Sequence, residues 1–139
     1  MSKTIIIIGI IIFIFVIFGY VQNKRNEKRL RKLNESRPNL TRTEYINRLK
    51  KSGFEKQHVE IVYDQIREFI QMDDFSIYPE DDIHKIYGIE DLDDIELIDT
   101  ICEKLNLRKA EQKDCDELNK RMKTFNAEYI LTLTKSLAE

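Results

Sequence analysis

Residues 87–107, YGIEDLDDIELIDTICEKLNL, decide the fold of this chain. Asp91 can cap the N-terminus of a helix that runs to about Leu105, because its carboxylate can accept hydrogen bonds from amides of the first turn. Three more carboxylates crowd the same end, where the helix dipole stabilises anions: Glu90, Asp93 and Asp94. The stretch therefore predicts a capped helix with an acidic first turn.

The apolar residues of this helix fall on two faces. Those that cluster within roughly one third of the circumference predict a face that packs into the core: Leu97, Ile98, Ile101 and Leu105. Leu92 and Ile95 lie on a second face, which Asp99 and Cys102 continue. Exposed apolar side chains rimmed by charge are typical of a surface that binds a partner. Packing of Leu92 and Ile95 against neighbouring loops is equally open at this point.

Acidic residues also extend to both sides of the helix start. Residues 73–103 contain twelve acidic side chains against a single basic one, Lys85. Such a density of negative charge steers basic partners towards a surface. A calcium site in the acidic loop 73–82 is not expected, because the EF-hand spacing of ligands and glycine is absent. We therefore expect a protein partner with a basic surface, and no metal site.

A long apolar stretch lies near the start of the chain. Residues 4–21, TIIIIGIIIFIFVIFGYV, contain no charged side chain. As a helix rising about 1.5 Å per residue they span about 27 Å, close to the hydrocarbon thickness of a bilayer. A cleaved signal peptide is the alternative, but no small-residue cleavage site follows the apolar stretch. Residues 1–22 are therefore predicted to be a transmembrane anchor.

Basic residues follow the anchor directly. Six of the nine residues 24–32 are Lys or Arg, and such flanks favour the cytoplasmic side of a membrane. This predicts a single-pass membrane protein with its N-terminus outside and its C-terminal domain in the cytoplasm. Residues 23–40 are assigned as a basic juxtamembrane segment and linker. Nucleic-acid binding is not expected, because the basic run lacks interleaved aromatic residues.

The net charge divides the chain in the same way. Residues 1–37 carry a net charge of +6, which leaves −8 for the remainder because the whole chain carries −2. This asymmetry predicts two segments with different surroundings. Cys102 and Cys115 have neither metal-ligand spacing nor a disulfide framework, and unpaired cysteines agree with a cytoplasmic location.

Residues 41–139 are predicted to form a helical domain. Thr41 and Glu44 have the spacing of a capping box, and Ser52-Gly53 is suited to end that first helix. Apolar residues at helical spacing predict a second helix over residues 55–72. The following loop contains three apolar or aromatic residues that we expect to anchor it in the core: Phe75, Ile77 and Tyr78.

The tail of the chain is expected to be helical as well. A closing helix is predicted over residues 125–138, where apolar residues recur every four positions. One long helix and two shorter ones are both open for the tail as a whole. The predicted fold class is therefore all-α, with one transmembrane helix followed by a small helical bundle.

Residues 87–97, YGIEDLDDIEL, resemble the acyl carrier protein family. In that family a loop ending in Leu-Gly-x-Asp-Ser-Leu-Asp leads into a helix that continues x-Val-Glu-Leu. The helix before this stretch and the loop at residues 79–82, PEDD, also lie where carriers have their first helix and long loop. The resemblance covers residues 59–107 and a C-terminal helix, and it implies an acyl-carrier-like bundle for residues 41–139.

One position departs from the family pattern in a way that matters for function. Carriers attach phosphopantetheine to the serine of their motif, and Asp91 occupies that position here without a hydroxyl group. Ser76 is the nearest upstream serine, but the motif does not surround it. Asp99 stands where carriers often have an apolar residue near the acyl-chain pocket. We therefore expect neither a prosthetic group nor any other cofactor.

The resemblance also implies where a partner binds, because carriers dock onto partner enzymes through residues just after the motif serine. The matching positions are Glu90, Leu92, Asp93, Ile95 and Glu96. The leading hypothesis is a non-catalytic, membrane-tethered interaction module that docks a protein through this acidic helix. The alternative is a carrier, or a remnant of one, in membrane-associated acyl or lipid metabolism. No residue pattern supports a catalytic site.

Overall fold

The computed structural model describes residues 2–139, with only the backbone at Asp91. In that part of the chain every regular element is an α-helix. The helices are α1 (Lys3–Ser36), α2 (Arg42–Lys51), α3 (Lys56–Ile70), α4 (Asp91–Lys104), α5 (Gln112–Asn119) and α6 (Ala127–Leu137). The chain divides into a first unit, Met1–Arg37, and a second unit, Pro38–Glu139. The predicted all-α class is confirmed for the described residues.

The first unit is the single helix α1. An 18-residue window of α1 has a mean hydropathy of 3.0 and none of it is buried, so α1 is long and apolar enough to cross a membrane. The helix does not end with the apolar stretch but continues through the basic residues to Ser36. Arg37 is extended, as expected of a residue before proline, because the ring of Pro38 disfavours helical geometry there. Residues 34–36, expected to begin the linker, are therefore helical.

The second unit begins with the helical hairpin α2–α3. The predicted capping box is confirmed, since the Thr41 hydroxyl accepts from the amide of Glu44 at 3.2 Å and the Glu44 carboxylate accepts from the amide of Thr41 at 2.8 Å. Ser52 is the C-cap of α2, and Gly53 follows with a φ of 97°, which favours glycine. Helix α3 ends at Ile70, two residues before the predicted end, and its C-cap Gln71 is left-handed.

Residues 71–90 connect α3 to α4 without a helix and form part of the core. Phe75 and Ile77 are buried as predicted, and Tyr78 is half-buried. Arg67 holds the start of the connection by donating to the carbonyl oxygens of Met72 at 2.8 Å and of Phe75. The order of this long loop thus comes from buried side chains and from bonds to its backbone.

A buried carboxylate holds the middle of the same loop. Asp81 is 5% exposed, and its Oδ2 accepts from the Tyr87 hydroxyl at 2.7 Å and from the Tyr78 amide at 3.0 Å. The amide of Ile83 donates to the carbonyl of Phe125 at 2.8 Å, which joins the loop to the segment before α6. These bonds fix the part of the loop that leads into α4.

Helix α4 begins one residue earlier than predicted. Its N-cap is Glu90, which is extended and makes no side-chain capping bond, and Asp91 is the first helical residue. The side chain of Asp91 lies outside the described part of the structure. Ile89 is buried and Gly88 has a φ of 72°, so the chain turns into the core before Glu90 and the helix can start directly after it. The prediction that Asp91 is the N-cap is wrong for this reason.

The predicted core face of α4 is confirmed, since Leu97, Ile98 and Ile101 are buried and Leu105 is half-buried at the helix end. Cys102 was placed on the other face but is completely buried. It belongs to a cluster with Ile98 and residues of α5 and α6, which cover the last turns of α4 from the second side: Leu118, Tyr129, Leu133 and Leu137.

The tail forms two helices, α5 and α6. Asn126 caps α6, since its side-chain oxygen accepts from the amide of Tyr129 at 3.0 Å. The predicted stripe of Tyr129, Leu133 and Leu137 is buried. Ile130 and Leu131 are buried too, because α6 contacts α3 as well as α5. Helix α6 therefore packs on more than one face.

An ion pair at the start of α5 provides a pH-dependent test of this part of the fold. Asp114 accepts from Arg108 at 2.9 and 3.0 Å and from the amide of Glu111 at 2.8 Å, and these contacts lower the pKa of Asp114 to about 2. Because this pKa lies below the usual value of about 3.9, the pair stabilises the fold above about pH 4 and that contribution is lost as the pH falls towards 2.

We expect Arg108→Gln to raise the pKa of Asp114 towards its usual value in an NMR titration, because the first cause of its depression is removed. Lys120→Gln is the matched control, because it also removes one positive charge, but Lys120 bonds Glu117 and not Asp114. An unchanged pKa of Asp114 in the Arg108 variant would contradict the role of the pair.

Candidate docking surface

The first turns of α4 carry two large apolar side chains in solvent. Leu92 is 82% exposed and Ile95 is 59% exposed. They are three residues apart, so they lie on neighbouring turns of one helix face. The sequence left open whether these two side chains pack against neighbouring loops, and the structure shows that neither is buried beneath a loop. Exposed apolar neighbours of this kind are typical of an interaction surface.

Three carboxylates lie close in sequence to the two apolar side chains. Glu90, Asp93 and Glu96 are all exposed. We call the set of Glu90, Leu92, Asp93, Ile95 and Glu96 the docking strip. The five predicted partner-binding residues are thus all exposed, with Glu90 at the N-cap of α4 and the other four in the first half of the helix.

The docking strip ends within α4. Asp99 is half-buried and pairs with Lys109 at 3.6 Å, while Cys102 is buried. The face that begins with Leu92 therefore passes from solvent into the core within three turns. Only its N-terminal half can contact a partner.

Asp93 and Asp94 look alike in the sequence, but the structure separates them. Asp93 is exposed, whereas the side chain of Asp94 is 13% exposed and its Oδ2 contacts Nε2 of His84. The His84 ring stacks on Phe125, with 4.9 Å between ring centroids and 23° between planes. His84 therefore connects the first turn of α4 to the segment before α6 and positions the docking strip. No sequence pattern indicated this role of His84, because its partners Asp94 and Phe125 lie in other segments of the chain.

A groove of about 580 Å³ lies beside the docking strip. Its apolar lining comes from α4, α6 and the segment between α5 and α6: Ile95, Ile98, Met122, Phe125 and Tyr129. His84, Lys85 and Lys123 contribute polar and basic groups to its wall. Ile95 belongs to both the groove and the strip, so an apolar group bound against Ile95 can enter the groove.

Ser76, the serine nearest to the carrier-like motif, is held inside the second unit. It is 3% exposed, its hydroxyl donates to the side-chain oxygen of Asn39, and the same oxygen accepts from the Leu40 amide at 3.2 Å. A transferase cannot reach a hydroxyl in this position without opening the fold. Ser76 is therefore a structural residue that ties the start of the second unit to the loop.

The two cysteines do not have the properties of nucleophiles. Burial raises the pKa of the Cys102 thiol and also that of the Cys115 thiol, so the reactive thiolate is disfavoured in both. Among residues 2–139, the side chains that are described include no group of three or more His, Cys, Asp or Glu residues arranged to hold a metal ion.

The chain matches no protein-family model, no curated protein and no solved structure.

Proposed function

We propose that this protein is a non-catalytic interaction module, held at a membrane by α1, that binds a partner protein through the docking strip. The observation that carries the proposal is the exposure of Leu92 and Ile95 at the start of α4, where the carboxylates of Glu90, Asp93 and Glu96 are exposed as well. The partner has a basic surface around an apolar contact, which is complementary to this arrangement.

The energetics support a transient interaction. Burial of Leu92 and Ile95 contributes about 1.5–3 kcal/mol for each side chain. Association costs about 4–15 kcal/mol, so these two contacts, at about 3–6 kcal/mol together, do not give stable binding by themselves. An apolar group of the partner that enters the groove beside Ile95 adds to this contribution. Confinement of both proteins to one membrane raises their effective concentration and makes a weak contact useful.

The order of the helices supports an acyl-carrier-like bundle for the second unit. Helix α3, the loop over residues 71–90, and helices α4, α5 and α6 follow the order of a first helix, a long loop and three further helices. Helix α2 precedes this set and contacts α3. Under this proposal the second unit keeps the recognition surface of the family and has no prosthetic group, because Asp91 offers no hydroxyl.

The tether and its orientation are part of the same proposal. Helix α1 spans the membrane with its N-terminus outside, and the basic residues after Val21 keep the second unit in the cytoplasm. This places the docking strip in the compartment where Cys102 and Cys115 remain reduced.

Site-specific photo-crosslinking in cells tests the docking strip. We expect a photoreactive residue at position 92 or 95 to capture the same partner, and one at Glu117, an exposed residue of α5, to capture none. Asp93→Lys with Glu96→Lys should lower the crosslinking yield roughly tenfold or more, because like charges then meet across the interface. Glu117→Lys with Glu128→Lys makes the same charge change elsewhere and should leave the yield unchanged.

Two results would overturn the proposal. Equal capture from positions 92 and 117, or equal yields for the two charge-reversal variants, would show that the docking strip does not bind the partner. A phosphopantetheine-sized mass increase on the intact chain, purified from cells that contain the transferase, would instead support the alternative of a working carrier.

A further inference from the structure

The continuation of α1 gathers basic residues on one face of the helix. Residues 22–36 remain helical, so their side chains are spaced by about 100° around the axis. Four of the basic residues fall within an arc of roughly 100° and are all exposed: Lys24, Arg25, Lys28 and Lys32. We call these four the basic face. Had residues 22–36 been an irregular linker, as expected for part of them, no such face would exist.

Neighbouring residues extend the positive charge on both sides of the basic face. Arg29 and Arg31 widen the arc to roughly 160° and are exposed as well. Glu27 bonds Arg31 at 2.9 Å and offsets part of its charge. Glu27 lies outside the 160° arc, and Glu35 lies within it but three residues beyond Lys32. The basic face is therefore a continuous cationic surface from Lys24 to Lys32.

The position of the basic face relative to the apolar stretch identifies its ligand. Lys24 lies 5.0 Å from the centroid of the Tyr20 ring, and tyrosine is enriched where a spanning helix leaves the hydrocarbon. The polar layer of a bilayer is about 5–8 Å thick on each side. Lys24 and Arg25 follow Val21 by about 4.5–6 Å and therefore lie in that layer, whereas Lys28 follows Val21 by about 10.5 Å and lies just beyond it.

We propose that the basic face of α1 binds the anionic headgroups of phospholipids in the membrane that α1 spans. This inference rests on one element of the proposed function, the membrane-spanning α1, and is independent of the docking strip. A lysine or arginine at this distance lies within the Debye length of about 8 Å from the charged surface, so its attraction to anionic lipid is not screened away. Lys32 lies about one Debye length beyond the polar layer of the bilayer and therefore contributes less to the attraction for anionic lipid.

The test uses the full chain reconstituted in vesicles of phosphatidylcholine with a minor fraction of spin-labelled lipid. We expect spin-labelled phosphatidylserine to be enriched next to the protein about fivefold over spin-labelled phosphatidylcholine, which corresponds to one full charge contact. The enrichment should disappear near 1 M salt, where the Debye length falls to about 3 Å.

Matched variants separate the basic face from net charge. K24Q/R25Q/K28Q/K32Q keeps the helix, because Gln has a helix propensity similar to that of Lys and Arg, and should reduce the enrichment to less than about twofold. K50Q/K51Q/K104Q/K135Q removes four positive charges from the second unit and should retain the enrichment of phosphatidylserine. Equal enrichment for the two variants would overturn the proposal.

The same vesicles test lipid binding by the basic face separately from membrane spanning by α1. Protein that resists carbonate extraction but shows no preference for phosphatidylserine contradicts only the role of the basic face. Protein that is removed by carbonate contradicts the spanning helix, and with it both the tether and the lipid site.

Discussion

Phe75→Ala is expected to lower the free energy of unfolding of the second unit by about 3–5 kcal/mol. Phe75 is 1% exposed, and its ring meets that of Tyr87 edge-to-face with centroids 6.0 Å apart. The substitution leaves a cavity where the long loop anchors in the core. Since small domains are stable by about 5–15 kcal/mol, the change removes a large part of the total.

Tyrosine fluorescence during urea unfolding of the detergent-solubilised full chain measures this effect. The chain has no tryptophan and six tyrosines, of which Tyr20 alone lies in the first unit, so the signal reports mainly the second. Leu92→Ala is the control, because an 82% exposed side chain should change the stability by no more than about 0.5 kcal/mol. A change below about 1 kcal/mol for Phe75→Ala would mean that the loop is not part of the core.

The pair of substitutions also bears on function. A Leu92 variant that keeps its stability and loses its partner separates docking from folding. A Phe75 variant is expected to lose docking as well, because the loop carries Ile89 and His84, which position the start of α4. Loss of binding therefore shows that a residue contacts the partner only if the substitution leaves the fold intact.

The sequence predicted the features that depend on neighbouring residues. The capping box of Thr41 and Glu44 involves two residues three positions apart, and the core stripes of α4 and α6 follow from helical periodicity. The same periodicity placed Leu92 and Ile95 off the core stripe but left open whether they were exposed, which the structure shows them to be. These patterns were sufficient for the all-α class, whereas the five residues of the docking strip were chosen from the resemblance to acyl carrier proteins.

The features that the sequence did not predict depend on contacts between distant segments. Cys102 is buried because α5 and α6 cover the second face of α4, which periodicity within α4 cannot reveal. Asp94 differs from Asp93 because His84 and Phe125 come together next to it. The groove beside Ile95 has the same origin, since its lining comes from the loop before α4, from α4, α5 and α6, and from the segment between α5 and α6.

The length of α1 is set by helix propensity and not by hydropathy, because the helix continues beyond the end of the apolar stretch. The apolar stretch ends at Val21, but the residues that follow are rich in Lys, Arg, Glu and Leu, which are strong helix formers. The helix therefore continues until the residue before Pro38, where its geometry becomes unfavourable. The functional consequence is the basic face, which needs a helix rather than a linker.

Arginine substitutions in the middle of α1 are expected to abolish membrane insertion. Ile11→Arg with Ile14→Arg places two charges near the centre of the apolar stretch, at a cost of about 2.5–3.5 kcal/mol for each. The combined cost of about 5–7 kcal/mol corresponds to a loss of more than a thousandfold in the inserted fraction. Carbonate extraction of membranes measures the result, with the wild-type chain in the pellet and the double variant in the supernatant.

Ile11→Leu with Ile14→Leu is the control, because it keeps the hydropathy and should remain in the pellet. An arginine variant that stays in the pellet would show that something other than a spanning α1 holds the protein on the membrane. The intact mass of the wild-type chain decides between an anchor and a cleaved signal peptide, the alternative that the apolar stretch allows. Retention of residues 1–22 supports the anchor, and their loss would separate the docking strip from the membrane altogether.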